Sequence, residues 1–235
     1  MKFGVIVFPG SNCDDDMVHV LGDVMGQKVV KIWHKSTHLP DFDSGDCVVL
    51  PGGFSYGDYV RAGAIAQFSP VMQAVKSFAA AGGFVWGVCN GFQILCESGL
   101  LPGVLLRNAN QQFICKNVWL RPATTQSPIT ADLDLERPLL IPIAHAEGRY
   151  YADEATLDAL ERNDQVLFRY CDASGRVTEA ANPNGAARNI AGICNAGRNV
   201  FGMMPHPERA SESVLANTDG RGLFESLLSH LPVPA

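Results

Sequence analysis

The sequence predicts an α/β fold: an open, mainly parallel doubly wound sheet flanked by helices, with antiparallel additions in the C-terminal half. Three observations carry this expectation. Short apolar runs that do not alternate with polar residues recur through the first half of the chain, as strands buried on both faces require. Segments of helical period alternate with those runs, the rhythm of a parallel sheet. After Gly99 the rhythm changes to strand-like runs with little helix between them.

Residues 2–8 form the first run and end at Pro9-Gly10. From Cys13 to Met25, Met17, Val18, Val20, Leu21, Val24 and Met25 recur at helical spacing. Asp14, Asp15 and Asp16 occupy the first turn, where free backbone N–H groups favour negative charge, and Gly26 ends the helix. Lys28–Trp33 and Asp46–Leu50 read as the second and third strands. A helix over Ser69–Ala81 is capped by Ser69, carries Pro70 at its first position and stops at Gly82-Gly83. Phe84–Val88 is a fourth strand, and Asn90–Ser98 a helix whose exit Gly99 marks. The second half reads as strands over Gln112–Arg121 and Pro138–Ala144, a helix over Asp153–Arg162, and strands over Val166–Tyr170 and Asn189–Cys194. Ala196-Gly197-Arg198-Asn199 is a hairpin connection into Val200–Met203, and Gly220–Leu231 a closing amphipathic helix. In a doubly wound sheet ligands gather beyond the carboxyl ends of the strands, so the loops after Phe8, Leu50 and Val88 are where a site is expected.

Composition narrows the class of function. The chain has 235 residues, 47% hydrophobic and 18% charged, which suits one globular domain over 1–235 and excludes disorder. Acidic residues outnumber basic ones by 24 to 18 and no Lys/Arg block is present, so nucleic acid is not expected as a partner. Seven cysteines, an odd number without a C-x-x-C pair, fit a reducing cytoplasm better than a disulfide framework. No signal peptide is recognised at Met1. The uncharged stretch from Ser77 to Cys96 imitates a membrane span, but its glycines, Asn90 and Gln93 point to a strand, tight turn and helix instead.

Gly87-Val88-Cys89-Asn90-Gly91 has the form of a nucleophile elbow at a strand-to-helix junction. Its glycines let the backbone crowd around a strained residue, and a thiolate there gains from the helix N-terminus. The plain alternative is a buried structural thiol. In Pro205-His206-Pro207-Glu208, Pro207 drives His206 into an extended conformation, so His206 and Glu208 share one face. Alone this is a proline-rich loop; beside an elbow it completes a nucleophile, base and orienting carboxylate in Cys89, His206 and Glu208. Pro51-Gly52-Gly53 follows the third strand, where the Gly53 N–H and the Asn90 N–H can serve a developing oxyanion. Gly52-Gly53 is otherwise an ordinary turn, and no Gly-Lys-Ser/Thr follows to make it a phosphate loop. Cys13 with Asp14–Asp16 reads as a helix start, not a metal site, because no histidine is near in sequence; no metal is expected. His34 and His38 read as solvated loop residues.

Through Gly87–Gln93 and His206-Pro207-Glu208 the chain resembles the class I (triad-type) glutamine amidotransferases. More narrowly, Phe8–Asp14, Pro51–Asp58 and His145-Ala146-Glu147-Gly148-Arg149 resemble the amidotransferase subunits of phosphoribosylformylglycinamidine synthase, with Ala146 where that family often has glycine. The resemblance implies a flavodoxin-like domain that hydrolyses L-glutamine to glutamate and ammonia through a γ-glutamyl thioester. It implies delivery of ammonia to a synthetase large subunit, usually with a small bridging subunit, in purine synthesis. It also implies that ATP and Mg are used by the synthetase and that this chain carries no cofactor. Gln93 would line the glutamine pocket, with Gly52, Gly148 and Arg149 offering further contacts to substrate. His145 either assists at an interface or satisfies a buried hydrogen bond. A cysteine peptidase, a chaperone-like protein of a related elbow-bearing fold, and a non-catalytic binding module remain as alternatives.

Overall fold

A computed structural model describes residues 2–230. Its strands are β1 (Lys2–Val7), β2 (Lys28–Trp33), β3 (Cys47–Leu50), β4 (Phe84–Val88), β5 (Val104–Leu106), β6 (Ile114–Pro122), β7 (Leu139–His145), β8 (Arg149–Tyr151), β9 (Val166–Cys171), β10 (Ile190–Cys194) and β11 (Val200–Met203). The α-helices are α1 (Asp14–His19), α2 (Pro70–Ala80), α3 (Asn90–Glu97), α4 (Glu154–Arg162) and α5 (Arg221–His230). The predicted elements are therefore present with ends shifted by a few residues, and Leu231 of the closing helix lies outside the described residues.

The main sheet has nine strands in the order β2-β1-β3-β4-β11-β10-β9-β6-β7. β2, β1, β3, β4 and β11 run parallel; β10, β9, β6 and β7 extend the sheet antiparallel. The parallel half explains the unbroken apolar runs, since Phe3, Val5, Ile6, Val48, Val49, Val85 and Val88 are fully buried. β11 inserts beside β4 although more than a hundred residues separate them, and this insertion brings the far end of the chain to the elbow.

Two features depart from the expected pattern. The helix expected over Cys13–Met25 is α-helical only to His19 and continues as a π-helical turn over Val20–Val24, a winding that apolar spacing does not distinguish. β5 and β8, absent from the sequence reading, pair antiparallel as a separate two-stranded sheet. At three residues each they are too short to show alternation.

Packing ties the layers to the site. Trp86 of β4 meets Phe224 of α5 at a ring separation of 4.9 Å and Phe201 of β11 at 6.1 Å. Phe92 of α3 stacks on Tyr150 of β8 at 6.0 Å, and the Tyr150 hydroxyl donates to Pro102 O at 2.9 Å. The hairpin before β11 is held by Asn195 Oδ1, which accepts from Asn199 N and Val200 N at 3.1 Å each. Asn199 Nδ2 in turn donates to Ala79 O and Gly83 O at 2.8 Å, fastening the α2–β4 turn to β11.

Close approach at the elbow makes one glycine irreplaceable where another is not. A Cβ at Gly91 would stand 1.9 Å from Leu50 O, whereas one at Gly22, in the π-helical turn, would find its nearest neighbour at 3.7 Å. Gly91→Ala is expected to destabilise the fold by about 3 kcal/mol. Gly22→Ala is expected to stabilise it by about 0.5 kcal/mol through the unfolded chain. Urea unfolding midpoints of the two variants, read against wild type, check both signs.

Candidate active site

Cys89 joins β4 to α3 with φ +51° and ψ −105°, a conformation that costs a non-glycine residue about 1–3 kcal/mol. Backbone bonds on both sides hold it there: Cys89 N donates to Met203 O at 2.8 Å, and Gln93 N donates to Cys89 O at 3.1 Å. Gly87 and Gly91 make room, since a Cβ at Gly87 would sit 2.6 Å from both Gly91 C and Leu95 Cδ1. The thiol is only 5% exposed, with Sγ 3.8 Å from Ala144 O of β7.

β11 ends at Met203 and leads directly into the second half of the site. His206 N donates to Pro142 O at 2.8 Å, which fixes the loop against β7. His206 Nδ1 and Glu208 Oε1 are 2.6 Å apart, both side chains essentially buried. The pair meets as the i, i+2 spacing predicts, but in a different backbone: Pro207 opens a 3-10 turn over Pro207–Arg209 instead of continuing an extended segment. Among the described residues His206 Nε2 and Glu208 Oε2 have no hydrogen-bond partner. Burial opposes charge on His206, yet the Glu208 carboxylate and the neighbouring Cys89 sulfur outweigh it, so the imidazole holds its proton well above the usual histidine range.

The loop after β3 supplies the third wall. Phe54 N donates to Gly10 O at 2.9 Å and Tyr56 N to Pro9 O at 2.6 Å, pinning it to the loop after β1. The Tyr56 hydroxyl lies 2.7 Å from His34 Nδ1 and 2.8 Å from Ser69 Oγ. His34 is therefore buried in this network, not solvated as expected. Gly53 has φ +142°, and its Cβ would stand 2.8 Å from Asn12 N. Among the described residues neither the Gly53 nor the Asn90 N–H is spent on an acceptor, so both can donate to an incoming oxygen. A cavity of about 240 Å³ on one side of Cys89 is lined by Cys13, Gly53, Phe54, His206 and Arg209 among others. A smaller one of about 50 Å³ on the other side is lined by Gly53, Asp58, Gln93, His145 and Glu147 among others. Roomier hollows of about 390 and 600 Å³ lie over β6 and β9 and include no nucleophile with a histidine beside it.

A strained thiol, a buried imidazole oriented by a carboxylate, and two free N–H groups are the parts that acyl transfer needs. Comparison with known proteins agrees. The family described as CobB/CobQ-like glutamine amidotransferase domain matches residues 1–224. The chain belongs to this family. It is 58% identical over 228 residues to phosphoribosylformylglycinamidine synthase subunit PurQ of Koribacter versatilis, covering 97% of each chain. It is 57% identical to the same subunit of Moorella thermoacetica, covering 97% of this chain and 95% of that one. The structure of PurLQS from Thermotoga maritima superposes with a TM-score of 0.85 at 38% identity, covering 98% of this chain and 99% of that chain. Another glutamine amidotransferase from Thermotoga maritima, at TM-score 0.60 and 14% identity over 98% of this chain and 97% of that chain, shares the fold.

In this amidotransferase the predicted residues fall into two groups. Cys89, His206, Gly53 and Gln93 line the two cavities, Asn90 adjoins them as the residue after Cys89, and Glu208 stands behind His206. Gln93 is fixed at both ends, its Nε2 donating to Glu147 O at 2.5 Å and its Oε1 accepting from Asn90 Nδ2 at 2.8 Å. Gly52, Gly148 and Arg149 do not line either cavity. Gly52 packs beneath the base, where a Cβ would meet His206 Cε1 at 2.7 Å. The Gly148 N–H, expected to reach substrate, donates to Asn108 Oδ1 at 3.1 Å, and Arg149 is engaged in the β5–β8 ladder.

Asp58, Glu147, Cys13 and Arg209, to which the sequence reading gave no role at the site, stand beside the triad. Asp58 and Glu147 present two carboxylates to the small cavity, and burial together with the Glu147 charge raises Asp58 to about 6. Both lie inside glycine-bearing segments adjoining the triad loops, a signal that was available. Cys13 and Arg209 meet at 3.1 Å beside His206, brought together only by the fold. His145 lies in the wall with Nδ1 3.1 Å from Asn108 Oδ1; burial and the His206 charge lower it to about 4.

The two histidines give opposite titrations. His206, raised, adds stability below its unfolded value of about 6.5 that is lost as pH rises through its folded value. His145, lowered, adds stability above that value that is lost as pH falls toward about 4. Imidazole NMR is expected to show His206 protonated and His145 neutral at pH 6.5. Glu208→Gln is expected to move the His206 transition downward and leave that of His145 at or above its wild-type position; an unmoved His206 would contradict this electrostatic account.

Proposed function

We propose that this amidotransferase is the glutaminase subunit of phosphoribosylformylglycinamidine synthase. Cys89 Sγ attacks the side-chain amide carbon of L-glutamine, and the oxyanion is held by Gly53 N–H and Asn90 N–H. His206 gives its proton to the leaving nitrogen, ammonia departs, and a γ-glutamyl thioester remains on Cys89. His206 then takes a proton from water, which attacks the thioester to yield glutamate and return the thiol. Glu208 keeps the imidazole oriented and stabilises its charged form each time it takes up a proton. Asp58 and Glu147 attract the α-ammonium of glutamine in the small cavity, beside Gln93.

The observation that carries this reading is the buried His206–Glu208 pair at 2.6 Å set against a strained, 5% exposed Cys89 with two unspent N–H groups beside it. A nucleophile reached through small cavities suits a side-chain amide better than an extended peptide. The PurQ relatives support phosphoribosylformylglycinamidine as the destination of the nitrogen. By the same reading ammonia passes to a synthetase large subunit that uses ATP and Mg, a small bridging subunit joins the complex, and this chain needs no cofactor of its own. A cytoplasmic location follows from that role; among the described residues no helix is long and apolar enough to cross a membrane.

Glutamate release by the pure chain, alone and with its synthetase partners, tests the proposal. Hydrolysis is expected to be slow alone and to rise with partners, because unregulated release would waste ammonia. Cys89→Ala is expected to abolish it, and mass spectrometry of the wild type to trap the glutamyl adduct on Cys89. Absence of both glutamate and adduct in every mixture would sink the reading. Glu208→Gln is expected to lower kcat by about 10⁴-fold, the scale seen when a triad loses its orienting carboxylate. Asp58→Asn and Glu147→Gln are each expected to raise KM for glutamine about tenfold, the loss of one charge-assisted contact, with a smaller change in kcat.

A further inference from the structure

We propose that Cys13, His206 and Glu208 form a binding site for a soft divalent cation, Zn²⁺ above all, and that the bound metal silences the triad by occupying its base. Cys13 lies in the loop after β1 and takes no part in the chemistry derived above. The fold nonetheless brings it to the base: one donor atom from each of Cys13, His206 and Glu208 lies within 4.8 Å of the other two. All three side chains are buried, at 3, 2 and 4% exposure. Bond lengths of about 2.0–2.3 Å for thiolate, imidazole and carboxylate on zinc place tetrahedral ligands roughly 3.4 Å apart, so closure of about an ångström completes the set.

Two further observations point to a ligand. Among the described residues Glu208 Oε2 is buried without a partner, a carboxylate oxygen with unused lone pairs beside the His206 Nδ1 edge that a metal would take in place of the shared proton. The cavity of about 240 Å³ reaches Cys13, Cys89 and His206 together, so a fourth position is open to water or to the Cys89 sulfur. The donor set of thiolate, imidazole and carboxylate selects zinc-like cations over magnesium or calcium.

Arg209 is the counterweight. It donates to Cys13 Sγ at 3.1 Å and to Asp16 Oδ2 at 2.9 and 3.0 Å. With its side chain 38% exposed it can remain on Asp16 while the sulfur turns to a metal. Competition from this guanidinium makes the site reversible rather than structural. Binding releases the Cys13 proton and the proton shared by His206 and Glu208 to solvent, with no change of oxidation state.

The test uses the full chain under reducing conditions, with Zn²⁺ titrated against a chromophoric chelator and Co²⁺ followed by its absorption. One Zn²⁺ per chain and a thiolate-to-cobalt charge-transfer band are expected, with glutamine hydrolysis by the partnered enzyme falling in step and returning on chelation. Cys13→Ser is expected to weaken Zn²⁺ binding at least about tenfold, the minimum for losing a ligand when even supporting residues cost that much. Cys115→Ser, a thiol of the same cavity, is expected to leave binding intact. Zinc-edge X-ray absorption of the wild type needs no variant: a mixed sulfur and nitrogen or oxygen shell supports the site, and a shell without sulfur overturns it. Tight binding by Cys13→Ser, or loss on Cys115→Ser instead, overturns it equally. The metal titrations contain no glutamine, so their failure leaves the amidotransferase reading standing, and a metal-free enzyme without glutaminase activity would fell only that reading.

Discussion

The site depends on one steric constraint, the contact of Gly91 with the carbonyl of Leu50. A Cβ 1.9 Å from that oxygen is impossible, so α3 can start this close to β3 only with glycine there. The short approach forces the chain to turn within one residue after β4, and the positive φ of Cys89 is the result. Strain of this kind persists where the surroundings over-determine it. Here they include the Met203 O acceptor on one side and the first turn of α3 on the other. The same turn leaves the Asn90 N–H free and brings the Asn90 side chain within 3.2 Å of Ser55 N, so the nucleophile and the loop bearing Gly53 are set by one event.

Charge is arranged around that frame by burial. His206 and His145 occupy neighbouring positions in the same wall, yet only His206 has a carboxylate against its ring. Burial lowers both; the 2.6 Å contact with Glu208 reverses the outcome for His206, and the resulting charge pushes His145 further toward neutrality. One proton is thereby assigned to one ring. The amide of Asn108 holds His145 from the opposite side, donating to its backbone O at 2.9 Å while its Oδ1 meets Nδ1. His145 is thus a wall residue with a fixed orientation.

Much of this was legible in the sequence, and the part that was not has a common cause. The parallel strands showed as unbroken apolar runs because both of their faces are covered, and the elbow showed because its glycines and cysteine fall within five consecutive residues. His206 and Glu208 could be paired because they lie two apart. Contacts made by distant segments left no local trace: Cys13 beside His206, Asp58 beside Glu147, and β11 beside β4 all arise from sheet order. Residues named by resemblance alone divided in the same way. Gln93, in the helix that the elbow begins, lines the cavity, whereas Gly148 was already committed to Asn108, an acceptor forty positions away. The π-helical turn and the short β5–β8 pair escaped because period and length are all that a sequence offers there.

The antiparallel half of the sheet has a share in catalysis that its position at the edge conceals. β7 contributes Ala144 O against the Cys89 thiol and Pro142 O to the His206 N–H, so an outer strand clamps both members of the catalytic pair. Proline at 142 keeps its carbonyl while lacking an N–H of its own, and Asn117 of β6 faces it in the ladder. The carbonyl accepts from the His206 N–H and so ties the strand to the loop of the base. A parallel sheet alone would present the nucleophile and leave its base unsupported. The antiparallel extension, folded back over the carboxyl ends of β4 and β11, turns an exposed elbow into a closed site in which the thiol is 5% exposed and the imidazole 2%.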